Sequence, residues 1–530
     1  MIIFDADYDY TIDRCISPKV SITIEGCGKT LRTINRYNYV ISLFNVEGTN
    51  SFRINNLIID GSYNTSNADK TVPKEFFITV KNVKEVSFTN CTFQNIRTDY
   101  PNWKTGDEAY TIWIDNYDKF AFTDNIVKNV YCPEFLKVVL PITNNDKKRI
   151  ANISRNKMSF VSTSSAIEVR FGRFRINNNE IGVTRGSTIN AFGFDSEIIG
   201  NVFHGSHNSS SIDLSEQYAF NYKSKNILIK NNYSEYSHEG LVMGDHVENI
   251  KVINNKFRAD KYNEEDFARY DRGWSFVERS CDRTLTFDHD ISDIHIISNS
   301  FVGAHALLML NQLGYKKDIK IENNEIRNVS EPKRSCIIIT QVDGLSIKNN
   351  RIVNTGRSLS YLDSPQFIVI GPTKEMDPEK RFVRNMKIER NTFSFNSDAQ
   401  KKAYILAHTI YDKADCNTLS TLSSIVIKKN KTNIIGNVLL VSNDFETIPK
   451  DRKIKIKNNN FGTGSVSGNI IDTVPVVNRR SGENVVANTV IEKDGKRYFV
   501  IIGGNPSERI LKNNENEFVL DGGSVLKRIK

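Results

Sequence analysis

A short phrase returns along this chain about every 22 to 26 residues: apolar, polar, apolar, then Asn-Asn or x-Asn, any residue, and Phe or Ile. It reads ENIKVINNKF at 248–257, SDIHIISNSF at 292–301, KDIKIENNEI at 317–326, DGLSIKNNRI at 343–352, RNMKIERNTF at 384–393 and RKIKIKNNNF at 452–461, with looser copies at 50–59 and 84–93. A unit of this length built from strands cannot bury its apolar face alone and must stack on its neighbours. Within a copy the alternation is strict, with Ile250 and Val252 on one side and Lys251 on the other, as in a half-buried strand. The Asn that follows tolerates left-handed backbone and suits a sharp corner. Stacked in register, such side chains form hydrogen-bonded ladders. The ladder positions are Asn179, Asn201, Asn232, Asn255, Asn299, Asn324, Asn350, Asn391 and Asn459. Equivalent places in successive copies put Val252, Ile296, Ile321, Ile347 and Ile388 in one internal stack. The expected architecture is an all-β solenoid of parallel strands. Leucine-rich repeats need fixed leucines and a helical return segment, and propellers need a longer period with Gly and Trp-Asp signals; neither pattern is present.

Three regions follow. Residues 1–33 read as a first coil, residues 34 to about 472 as repeated coils, roughly fifteen in number, and the phrase fades from about 474. At the usual strand spacing the stack is about 70 Å long. The organisation expected is a parallel β-helix over 1–473 and a C-terminal β cap or assembly module over 474–530, where 490–500 reads as a hairpin with an Asp-Gly turn. Long insertions fall at 98–109, 258–273, 278–291, 371–383 and 411–421, and loops on a rigid scaffold are where binding residues gather.

Seven Cys are scattered singly with no C-x-x-C pair, which argues against a disulfide framework or metal cluster and for small buried hydrophobes. No apolar run is long enough to span a membrane, and the first residues lack the basic and apolar regions of a secretory signal. The formal net charge is +9, spread over outward positions. That spread is ordinarily a solvated face; the alternative is a field that attracts an anionic polymer. No helix-turn-helix, RNP-like or zinc signature points to nucleic acid, so an acidic polysaccharide is the better fit.

The Ile-x-Ile-x-Asn-Asn-x-Phe coils, with the opening Ser21-Ile22-Thr23-Ile24-Glu25-Gly26-Cys27-Gly28-Lys29-Thr30, resemble the right-handed parallel β-helix superfamily over about 80–90% of the chain. That superfamily includes pectate-lyase-like enzymes and bacteriophage tailspikes. Fold alone does not choose among lyases, hydrolases, epimerases and binding fibres. The reading expected is a protein that binds and cleaves an acidic polysaccharide, most like a tailspike-type depolymerase, with a non-enzymatic tail or fibre component and a bacterial polysaccharide lyase or epimerase as the alternatives. The resemblance also implies a homotrimer and a location in the virion tail or outside the cell. Open strand edges recruit other chains unless capped, and with nothing like a cap before Tyr10 the N-terminal end is expected to be covered by an upstream domain or a neighbouring subunit. Trp113-Ile114-Asp115-Asn116 is similar to a Trp-Ile-Asp-His phrase of pectate lyases, but Asn stands in place of His and no catalytic role carries over.

The chemistry has to come from outward positions. Alternation puts Trp113, Asp115, Glu168, Arg170 and Asp213 outward, and if their strands share a sheet they line one face. Glu168 and Asp213 are then two coils apart, about 9 to 10 Å, near the upper end of the span of an inverting glycosidase pair. A lyase would use Arg170 or a nearby Lys as base. The expected catalytic set is Asp115, Glu168, Arg170 and Asp213, and the expected substrate contacts are Trp103, Trp113, Arg173, Asp245, His246 and Trp274. His238 and Glu239 lie on a neighbouring turn. Aromatic residues cluster in two places, Tyr100, Trp103, Tyr110 and Trp113, then Tyr262, Phe267, Tyr270 and Trp274, which suits sugar rings or the cover of an apolar coil mouth. Outward acids on a sheet otherwise only maintain solubility. Asp107 and Glu108 alone fall short of a calcium cage, so no metal and no cofactor is expected.

Overall fold

A computed structural model describes residues 1–5, 7–33, 42–62, 77–98, 110–207, 209–215, 222–235, 237–244, 246–258, 274–279, 290–303, 305–309, 316–328, 336–339, 341–354, 366–370, 382–395, 404–408, 421–433, 437–441, 454–461, 464–466, 471–473, 487–493, 496–502, 510–513, 517–520 and 525–528. The described residues contain no helix. The chain divides into two compact units, Met1–Phe276 and Val277–Lys530.

Each unit contains a parallel β-helix in which the coil strands pair with their equivalents one coil on. In the first unit the register runs Ile24–Ile54–Phe88–Phe122–Ile153–Ile176–Ile198–Ile229–Val252. In the second it runs Ile296–Ile321–Ile347–Ile388–Ile427–Ile456. Val252, Ile296, Ile321, Ile347 and Ile388 are all fully buried, as their identical places in the phrase require. Burial of a column of Ile and Phe is the dominant favourable term for such a stack.

The Asn-Asn pair divides its labour. The first residue takes the left-handed corner: Asn254 (φ 53°), Asn323 (φ 57°) and Asn349 (φ 55°). The second is the ladder residue. Asn324 donates its backbone N–H and its Nδ2 to Asn350 Oδ1, at 2.8 and 3.0 Å, and Nδ2 also reaches Ile296 O at 2.8 Å. The same pattern links Asn125, Asn156, Asn179, Asn201, Asn232 and Asn255 in the first unit. It links Asn299, Asn324, Asn350, Asn391, Asn430 and Asn459 in the second. The expectation that one Asn serves both as corner and as ladder is therefore corrected. Arg155, Arg390 and Lys429 hold the corner as well as Asn does, with φ of 56–57°, because the ladder behind them fixes the backbone. A second left-handed position opens the phrase at Asn249, Asp293, Asp318 and Asn385, where the strand bends before its Ile.

Five antiparallel strands follow the coils of the second unit, from Ala487–Lys493 to Val525–Arg528. Lys493 stands opposite Lys496 in the first pair. Most residues of the expected insertions, 99–109, 259–273, 280–289, 371–381 and 409–420, lie outside the described residues.

Candidate functional site

Three strands of the first unit, Tyr110–Thr123, Ile126–Val139 and Lys157–Asn177, run through a corner and continue, so each contributes to two faces of the coil. The registers join the outward residues into rows. One row is Asn45–Thr79–Trp113–Lys137–Glu168–Asn190–Asp213. The next is Glu47–Lys81–Asp115–Val139–Arg170–Phe192. Trp113, Asp115, Glu168, Arg170 and Asp213 thus share one face. Glu168 and Asp213 are two strands apart, about 9.6 Å at the backbone, with Asn190 between them.

The face is not solvated, and here the expectation from alternation fails. Glu168 is 1% exposed, Lys137 6%, Asn190 7% and Asp213 7%. Arg170 Nε pairs with Glu168 Oε1, and Lys137 Nζ lies 3.9 Å from the same oxygen. Lys137 also donates to the Tyr110 hydroxyl. Asp213 is held on three sides: Oδ1 accepts from the backbone N–H of Ser215 at 2.8 Å and from its hydroxyl, and Oδ2 accepts from Ser187 at 3.1 Å. Phe171, Phe192 and Tyr222 form a ring cluster at one end, with centroids 5.1–6.5 Å apart, and Arg170 lies over the Phe192 ring. At the other end Lys81 Nζ sits 4.1 Å from the centroid of the Trp113 ring.

Glu134 joins this group although sequence reasoning missed it. Burial, and then the charge of Glu168, push its carboxyl well above the ordinary glutamate range, while Lys137 and Arg170 oppose the shift. The half-buried Asp115 is also raised, by burial against the pull of Lys81 and Lys137. Glu134 and Glu168 therefore form a carboxyl pair, with Glu168 the member that meets the cations. A raised carboxyl costs stability as pH climbs, because the unfolded chain gives up its proton first. That cost is absent below the ordinary glutamate range, about pH 4.3, and grows as pH rises toward the folded value. Glu134→Gln is therefore expected to raise the melting temperature more at pH 8 than at pH 5. An equal change at both values would show that Glu134 ionises normally.

The remaining expected residues are distributed differently. Arg173 is not on this face. Phe171 adopts φ 65° and turns the strand, so Arg173 pairs in register with Ile150 on the Asn-ladder sheet and donates to the carbonyls of Asp195 and Lys147. His246 occupies a left-handed corner (φ 68°), and its carbonyl accepts from the backbone N–H of Ser224. His238 and Glu239 are buried rather than offered on a turn, with Glu239 paired to Ser210. Trp103 and Asp245 lie outside the described residues. Trp274 opens the strand Trp274–Arg279, whose side chains lie outside them too. Among the described residues no group of His, Cys, Asp and Glu is arranged to hold a metal ion.

No protein-family model matches the chain, and no curated protein matches it. Among solved structures it is similar to the tailspike protein of E. coli bacteriophage HK620 in complex with a pentasaccharide, at 11% identity over 96% of this chain and 84% of that one, with a TM-score of 0.30. It is also similar to a mutant of that tailspike in complex with a hexasaccharide, at 12% identity over 99% and 83%, with a TM-score of 0.30. A third similar structure is the catalytic domain of a GH87 α-1,3-glucanase in complex with nigerose, at 10% identity over 85% and 63%, with a TM-score of 0.28. Likeness at these scores carries no weight for activity; the fold rests on the strand registers and the site on the side chains just described.

Proposed function

We propose that this protein binds a polysaccharide across the Trp113–Asp213 face and hydrolyses it with a carboxyl pair and a separate carboxylate. One observation carries the reading. Asn190 Oδ1 is a buried acceptor without a hydrogen-bond partner among the described residues, and it lies between Glu168 and Asp213. An orphaned acceptor of this kind calls for a donor, and a water or sugar hydroxyl supplies one. In this reading the Glu134–Glu168 pair supplies the proton to the leaving oxygen, as two carboxyls that share a proton do. Asp213, fixed by Ser187 and Ser215, takes a proton from the attacking water. A spacing of two strands, about 9.6 Å at the backbone, leaves room for that water and lies at the upper limit of the roughly 6.5–9.5 Å between carboxyls that inversion uses. Trp113 and Asp115 hold a neighbouring sugar ring and its hydroxyls. Elimination fits less well. Arg170 is ion-paired with Glu168, which favours its protonated form and removes it as a base.

A second reading, binding without cleavage, is favoured by the burial of Glu168 and the three donors already on Asp213. A panel of neutral and acidic polysaccharides separates the two. Hydrolysis predicts new reducing ends without the ultraviolet absorbance of unsaturated uronates, and their loss in Asp213→Asn. Absorbance at the new ends would assign a lyase instead. Binding with no new ends of either kind would leave the second reading.

A further inference from the structure

We propose that the outer face of the coils built on Phe382–Glu389, Thr421–Lys428 and Ile454–Lys457 binds an acidic polysaccharide through its carboxylate or sulfate groups; this rests on the carbohydrate reading above and names a second contact surface for it. Residues 382–395, 421–433 and 454–461 carry eight Lys and Arg against one Glu, a formal +7 (8 − 1). The three coils at 291–303, 316–328 and 341–354 of the same unit carry six against five, a formal +1 (6 − 5). A face kept charged only for solubility has no reason to differ so sharply between adjacent coils.

The pairing shows the same contrast. Arg384 meets Asp343 at 2.8 Å and Lys428 meets Glu389 at 2.9 Å. The other six cations, Lys387, Arg390, Lys429, Lys431, Lys455 and Lys457, are exposed and pair with no acid among the described residues. Register sets Lys428 directly opposite Lys457 and places Lys387, Val426 and Lys455 in one row. Like charges placed directly opposite on a sheet destabilise it. The fold therefore tolerates a repulsion that a bound polyanion would relieve.

The form of the surface selects among polyanions. Cations recur one strand spacing apart in the row of Lys428 and Lys457 and two apart in the row of Lys387 and Lys455, about 4.8 and 9.6 Å, so an extended chain laid along the coil axis meets one within every two steps. Single-stranded nucleic acid is held by stacking its bases on aromatic side chains. The ring at the edge of this surface, Phe382, is already covered by the Arg384 guanidinium, 4.2 Å from its centroid. Among the described residues this surface is made of strands and their corners, which offer no helix to enter a duplex groove. A polymer that needs only charge at regular intervals fits better.

The test compares the full chain with the triple variant Lys429→Gln, Lys455→Gln, Lys457→Gln and with the control Lys317→Gln, Lys320→Gln on the balanced coils. The probes are polygalacturonate, a neutral glucan and a DNA oligonucleotide of matched charge, each at low and high salt. The expected result is salt-sensitive binding of polygalacturonate, about tenfold or more weaker in the triple variant, and unchanged in the control. Equal binding by the triple variant and the parent overturns the inference, as does tighter binding of the oligonucleotide than of polygalacturonate. Reducing ends measured on the same samples report separately on the first unit. Patch-dependent binding without cleavage counts against the hydrolase reading alone, and cleavage with unchanged binding counts against this surface alone.

Discussion

Glu168→Gln is expected to lower turnover by at least about a hundredfold, the usual scale of general acid–base help, and to cost about 3–5 kcal/mol of stability. Both losses come from one cause. Glu168 is the buried partner of Arg170 and lies 3.9 Å from Lys137, so neutralising it leaves two cations short of their counter-charge. An outward side chain on a solvated sheet could be substituted without harm to folding, but Glu168 is buried. Denaturant melts and reducing-end release on the same samples check the prediction. A variant with parental stability and full turnover would remove the site from this face. Asp213→Asn separates the two effects, because the amide oxygen still accepts from Ser215 and the amide NH2 can donate to the Ser187 hydroxyl, so activity is expected to fall with a smaller loss of stability.

The second large effect lies in the ladder. Asn324→Leu strands the backbone N–H of Asn299 and takes the Nδ2 donor from the carbonyl of Ile296, while Asn350 Oδ1 keeps the backbone N–H of residue 324. At roughly 1–3 kcal/mol for each unsatisfied buried group, the cost is expected to be about 2–4 kcal/mol. The adjacent Asn323→Leu touches only the left-handed corner and is expected to cost about 1–2 kcal/mol. Denaturation of the two variants side by side gives the comparison. Equal losses would mean that the corner, and not the amide column, holds the coils in register.

The coils were legible because one rule governs every copy. A side chain two residues from a buried Ile is buried, and the phrase repeats often enough to fix the phase of Val252, Ile296 and Ile347. The same alternation correctly put Trp113, Asp115, Glu168 and Asp213 on one face. It also marked Lys137, between the buried Leu136 and Val138, although that signal was passed over. It failed where the chain turns. Phe135 and Leu136 are both buried in succession, which marks a corner and places Glu134 outside the simple pattern. Arg173 lies past a corner and off this face because Phe171 adopts a left-handed conformation that nothing in its chemistry advertises. Burial was not legible at all. What covers Glu168 comes from residues distant in sequence, such as Tyr110 through Lys137, and alternation says which side a residue faces without saying what lies above it.

Cys91 occupies the place that Asn fills in later coils. Its backbone N–H donates to Asn125 Oδ1 at 2.9 Å, and its Sγ faces the carbonyls of Ile54 and Thr89. Burial pushes the thiol up to about 11, so in the closed coil almost none of it is the reactive thiolate at neutral pH. Alkylation of this sulfur must wait for the coil to part. Its labelling rate is then a clock for breathing at the head of the amide column, readable without unfolding the rest of the molecule.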